Sequence, residues 1–181
     1  MGSRSSWRTC KRAARRLTRF TLRLQILCVG RLKAGPERQL VARYGERIVP
    51  EGRAVGLGPV DIREIGESGA RRPDDRKIDE ALRLAALLSE GSALWALDEK
   101  GTNLTSEEFA RDLAKLRDNG AASLAFAIGG ADGLDESLRQ RAHRTIAFGA
   151  MTLPHQLVRV LLLEQIYRAA TILSGHPYHR G

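Results

Sequence analysis

His155 and Arg159 stand four residues apart, directly after Pro154, at the head of "PHQLVRVLLLEQIYRAATIL". Proline suits the first turn of a helix, and a spacing of four puts both side chains on one helical face. A neutral imidazole can take a proton near pH 7, and a guanidinium can grip a phosphate or a base edge. The same residues also fit plainer roles: His155 as a capping or core residue, Arg159 as the partner of Glu164 or as a contact to a second copy. Glu164 and Gln165 lie inside the apolar helix and need partners there. A second polar cluster closes the chain, with His176, Tyr178, His179 and Arg180 in "SGHPYHRG". A ring beside cations could stack on a base and hold a phosphate, or the segment is a frayed terminus. The H-x-x-H spacing lacks a third ligand, so no metal site is assigned.

Glycines supply the other chemistry. In "FAIGGADGL" (126–134) an apolar run ends in Gly129-Gly130, and Gly133 follows before a helical pattern. Such a loop lets a ligand approach the backbone closely. A dinucleotide site would want G-x-G-x-x-G near the first strand, and a phosphate loop G-x-x-x-x-G-K-[ST]. Neither is present, and no lysine follows the loop. The loop alone is otherwise a tight turn. "FGAMTLP" (148–154) changes that balance, because its backbone could bracket an adenine edge over Met151 and Leu153. With Leu97 at a strand end and Gly129, it outlines a pocket of little charge. That pocket suits a neutral base and a sulfonium amino acid better than a polyphosphate.

These loops need a scaffold. "LRLQILCVG" (22–30) reads as a first strand and 35–49 as a helix with Pro36 at its start. Residues 59–66 read as a strand and 68–76 as a polar loop. In the helix expected over 74–91, Ile78, Leu82, Ala85 and Leu88 form the apolar stripe and Gly91 closes it. "ALWALDEKG" (93–101) is a strand and turn. Residues 105–120 form a helix opened by a Thr105–Glu108 capping box. "SLAFAIGG" (123–130) is apolar throughout, as a strand buried on both faces of a parallel sheet is. A short helix (135–143), a short strand (145–149) and the long helix (154–173) complete the series. Alternation of this kind indicates an α/β fold with a mostly parallel sheet flanked by helices. Ligands in such sheets bind at the carboxyl ends of the strands, where "LDEKG", "GGADG" and "GAMTLP" lie.

The chain has 181 residues and a net charge of +9, but residues 1–21 hold seven basic residues and no acid. Removing those seven charges leaves +2 for residues 22–181, so the domain itself is nearly balanced. The arm reads best as an upstream extension, with an RNA-touching basic arm or a transit peptide as the alternatives. No apolar run is long enough to cross a membrane. Cys10 and Cys28 make no disulfide framework, which fits a reducing cytoplasmic compartment. Arg31, Lys33, Arg71, Arg72, Arg76 and Lys77 are candidate phosphate contacts, or solvated charges.

"LDEKGTNLTSEEFA", "IGGADGL", "MTLPHQLVRVLLLEQIYRA" and "HPYHR" occur in that order. Together they resemble the RlmH family of SPOUT-class methyltransferases, over residues 22–181. The resemblance implies a C-terminal trefoil knot, S-adenosylmethionine as cofactor and a homodimer. It also implies methylation at N3 of a pseudouridine in 23S rRNA of the assembled ribosome. By position, the cofactor contacts would be Leu97, Gly129, Phe148, Gly149, Ala150, Met151, Thr152 and Leu153. His155, Arg159, Tyr178, His179 and Arg180 would position substrate, with the tail reaching the partner's site. Two rivals remain: a non-catalytic ribosome-binding module, and a nucleotide-dependent oxidoreductase on a doubly wound sheet.

Overall fold

The computed structural model describes residues 21–176; residues 1–20 of the basic arm, and Tyr178, His179 and Arg180, lie outside them. Five parallel strands carry the fold: β1 (Leu22–Val29), β2 (Leu57–Ile65), β3 (Ala93–Asn103), β4 (Ser123–Ile128) and β5 (Arg144–Ala147). Their order across the sheet is β2-β1-β4-β3-β5. Five helices connect and close it: α1 (Pro36–Val55), α2 (Pro73–Ala85), α3 (Ser106–Asp118), α4 (Glu136–Arg141) and α5 (His155–Ser174). The expected α/β fold with a parallel sheet flanked by helices is therefore present.

Central β4 is buried along its whole length, as its unbroken apolar sequence requires. Side chains alternate across the sheet. Leu22, Leu24, Ile26 and Cys28 of β1 join a core with α1, α3 and α5, while Leu27 and Val29 face α2 and α4. Trp95, Phe109 and Phe126 anchor the first core, with Trp95 edge-on to both rings at centroid distances of 5.8 and 5.7 Å. Burial pushes the Cys28 thiol up to about 12, against a smaller pull from Arg159, so it stays protonated and inert.

Three elements depart from the sequence reading. Helix α1 does not stop before Pro50 but runs to Val55, with the proline on its exposed side. Helix α2 ends at Ala85, and its inward face is Ala81 and Leu84. Ile78 and Leu82 of the expected stripe are 50% and 67% exposed, whereas Ala85 and Leu88 do pack on the core. Strand β3 does not end in a turn at Gly101. It bulges between Leu97 and Thr102 and pairs again with Ile146 and Ala147.

Candidate active site

The carboxyl ends of β3, β4 and β5 open into one cavity of about 750 Å³. Each strand contributes a different device. The β3 bulge turns Asp98, Glu99 and Lys100 toward the cavity, with the Lys100 N–H donating to Asp98 Oδ1 at 2.9 Å. The segment after β4 folds into a tight turn in which the Gly133 N–H donates to the Gly130 carbonyl at 3.1 Å. Gly129 permits that closure: a Cβ there would lie 2.5 Å from the Gly133 carbonyl carbon. Gly133 itself has φ +82°, a left-handed conformation that glycine adopts without strain.

The segment after β5 is pinned at two points. The Gly149 N–H donates to Asn103 Oδ1 at 2.9 Å, and the Thr152 hydroxyl donates to Glu99 Oε2 at 2.6 Å. It then leads directly into α5, whose N-cap is Pro154, one residue before the helix rather than in its first turn. Leu97, Ile128, Leu134 and Ile146 give the cavity an apolar wall. Its size and its mixture of apolar wall and backbone polar groups fit a nucleoside linked to an amino acid.

Seven of the eight expected cofactor residues line this cavity: Leu97, Gly129, Phe148, Gly149, Met151, Thr152 and Leu153. Ala150 is not part of the lining, and Met151, at 81% exposed, forms the rim rather than a floor. His155 lines the cavity as well. Burial, reinforced by Arg159, holds its imidazole below the ordinary histidine range, against a smaller upward pull from Glu67 and Glu80. The ring is therefore neutral at pH 7 and able to accept a proton.

Arg159 is 1% exposed and does not line the cavity. Its guanidinium donates to Glu64 Oε1, the Val29 carbonyl and the Gly30 carbonyl, each at 2.6 Å. Its acidic partner is thus Glu64 of β2, not Glu164. Glu164 is held by Arg168 and by Gln165, whose own carbonyl oxygen accepts from the Ser106 hydroxyl at 2.9 Å. Both polar residues inside α5 are satisfied within one chain.

Two of the basic residues considered for phosphate contact are engaged elsewhere. Arg76 forks onto Asp132 at 2.7 and 3.0 Å, and Lys77 pairs with Asp74 at 2.9 Å. His143 is an exposed residue just after α4, and its Nδ1 accepts the Leu94 N–H at 3.1 Å, extending the β3 edge. The sequence reading missed Glu99, the partner of Thr152. It sits in "LDEKG", a segment already flagged by its place after a strand.

A family model described as "Predicted SPOUT methyltransferase" matches residues 22–179. The chain is 58% identical over 159 residues to the ribosomal RNA large subunit methyltransferase H of Xanthobacter autotrophicus, covering 88% of this chain and 99% of that protein. It is 54% identical over 160 residues to the protein of that name from Nitrobacter hamburgensis, covering 88% and 100%. With that of Rhizobium etli it shares 55% over 159 residues, covering 88% and 99%. On the matched segment and these identities, the chain belongs to the ribosomal RNA large subunit methyltransferase H family of SPOUT methyltransferases.

Proposed function

We propose that the protein uses S-adenosylmethionine to methylate N3 of a pseudouridine in 23S rRNA of the large ribosomal subunit, on the assembled ribosome. One observation carries this reading. Three loops, separated in sequence by strands and helices, converge on a single cavity that holds seven of the eight positions expected to touch the cofactor. The names of the relatives support the RNA substrate.

The cofactor supplies an electrophilic methyl group on sulfonium. The protein has two remaining tasks. The turn at Gly129 and the pinned 148–153 segment fix the cofactor's orientation by backbone contact. His155, at the edge of the same cavity, accepts the proton that the N3 imide must lose before it can attack. Arg159 acts beneath it, locking the ends of β1 and β2 under the first turn of α5.

The reading extends to a C-terminal trefoil knot and a homodimer in which Tyr178, His179 and Arg180 reach the partner's site. Family membership supports both. The place of action is the cytoplasm, where ribosomes are. No helix among the described residues is long and apolar enough to cross a membrane.

Calorimetry tests the cofactor. S-adenosylmethionine is expected to bind one site per chain in the micromolar range, and NAD not to bind. Binding of NAD alone, or of neither, would contradict the reading.

A further inference from the structure

The residue after β1, Gly30, has φ +81° and leaves a notch where a side chain would stand. Polar atoms of three side chains, two from α5 and one from the segment after β2, converge on that point. His155 Nε2 lies 3.0 Å from it, Glu67 Oε1 3.3 Å and Arg159 Nη2 3.7 Å. The first belongs to the head of α5, the second to the segment after β2 and the third to the interior of α5. Arg159 Nη2 is already bonded to the Val29 and Gly30 carbonyls. Glu67 has no hydrogen-bond partner among the described residues.

The segment that carries Glu67 is held in place from α2. Buried Glu80 accepts the Ser68 N–H at 2.9 Å. Arg76 Nη1 donates to the Ala70 and Arg71 carbonyls at 3.2 and 3.1 Å. The other two nitrogens of the same guanidinium hold Asp132 of the glycine turn. One side chain thus ties the Glu67 segment to the cavity wall.

We infer that Glu67 is a positioning residue of the methyl-transfer site: its carboxylate accepts the Nε2–H of His155 across the Gly30 notch, leaving Nδ1 as the proton acceptor. A histidine has one donor and one acceptor nitrogen when neutral, and the bond made by one fixes the role of the other. The inference rests on the reading of the cavity as a methyl-transfer site.

Electrostatics sharpen it. An exposed carboxylate such as that of Glu67 opposes the approach of a polyanion. Neutralising Glu67 should therefore favour RNA binding, while a disordered imidazole tautomer should slow the chemical step. The groups facing His155 are Arg159 on its own helix, Glu67 after β2 and Glu80 on α2, with Glu64 and Cys28 facing Arg159 in turn.

The test compares Glu67→Gln and Glu67→Asp with the wild type in the full chain. Wild-type methyl transfer to ribosomes and calorimetry with S-adenosylmethionine establish the site first, so failure there belongs to the functional reading and not to Glu67. In Glu67→Gln, kcat should fall about tenfold, with KM for the ribosome unchanged or lower and cofactor affinity intact. Nitrogen NMR of histidine-labelled protein should show His155 with Nδ1 unprotonated in the wild type. In Glu67→Gln it should show a tautomer mixture and a lower titration midpoint. Glu67→Asp should restore most of kcat. Unchanged ring-nitrogen shifts in Glu67→Gln, or a raised KM at unchanged kcat, would overturn the assignment.

Discussion

Gly129→Ala is expected to weaken S-adenosylmethionine binding by about 100-fold or more while the protein still folds. A Cβ at this position meets backbone only: the Gly133 carbonyl carbon at 2.5 Å, its oxygen at 2.6 Å and the Leu134 nitrogen at 2.9 Å. None of these atoms can swing aside as a side-chain tip would. The turn must open, and with it goes the wall that faces the cofactor. The cores on both faces of the sheet are built from other residues, so cooperative unfolding should persist. Gly133→Ala is the control. Its Cβ would enter open space, and only the left-handed backbone conformation opposes it, at a cost of ~1–2 kcal/mol. Calorimetry should therefore rank wild type, Gly133→Ala and Gly129→Ala in that order. Near-normal affinity in Gly129→Ala would show that the cofactor does not use this turn.

Arg159→Leu should be among the most destabilising single changes in the chain. Arg159 links three acceptors on two strands, and leucine fills the space but donates nothing. The Val29 and Gly30 carbonyls and the Glu64 carboxylate would lose their partner together. Glu64 keeps its contact with solvent, but the two carbonyls bonded to the buried guanidinium would be left unsatisfied, at about 1–3 kcal/mol each. For a domain of this size that lowers the melting temperature by roughly 10 °C. Arg159→Lys should recover part of the loss, because an ammonium keeps the charge but cannot reach all three acceptors at once. A melting temperature within about 2 °C of wild type in Arg159→Leu would mean that the buried cation does not hold the strand ends together.

The sequence made the scaffold readable wherever local chemistry and tertiary packing agree. The capping box is one such place: the Glu108 N–H donates to Thr105 Oγ1 and the Thr105 N–H to Glu108 Oε2, at 3.2 and 2.8 Å. The unbroken apolar run of β4 is another. The reading failed where two local signals compete. In α2, Ile78 and Leu82 make one apolar stripe and Ala81 and Leu84 a second, about 100° away at helical geometry. Hydrophobicity favours the first, yet the helix turns the smaller pair toward the sheet. Pro50 looks like a helix end, but on the solvent face its missing N–H costs less than the packing of Ile48, Gly52 and Val55 contributes.

The site divides in the same way. That seven of the positions proposed for the cofactor would share one cavity was legible because the loops that hold them follow strands and carry glycine or apolar residues in a recognisable order. The partner of Arg159 was not legible. Glu64 lies 95 residues away, and only the folded sheet brings it under α5. Glu67 was invisible for a related reason, since its relation to His155 passes through Gly30 and two helices.

The central claim is methyl transfer to one nucleotide of the large-subunit RNA. It is tested most directly by incubating the purified protein and S-adenosylmethionine with ribosomes from cells that lack this chain, then mapping the rRNA by mass spectrometry. The expected result is a gain of one methyl group on a single pseudouridine of 23S rRNA, absent when the cofactor is withheld. No added methyl group, or methylation of a nucleotide other than pseudouridine, would contradict the account.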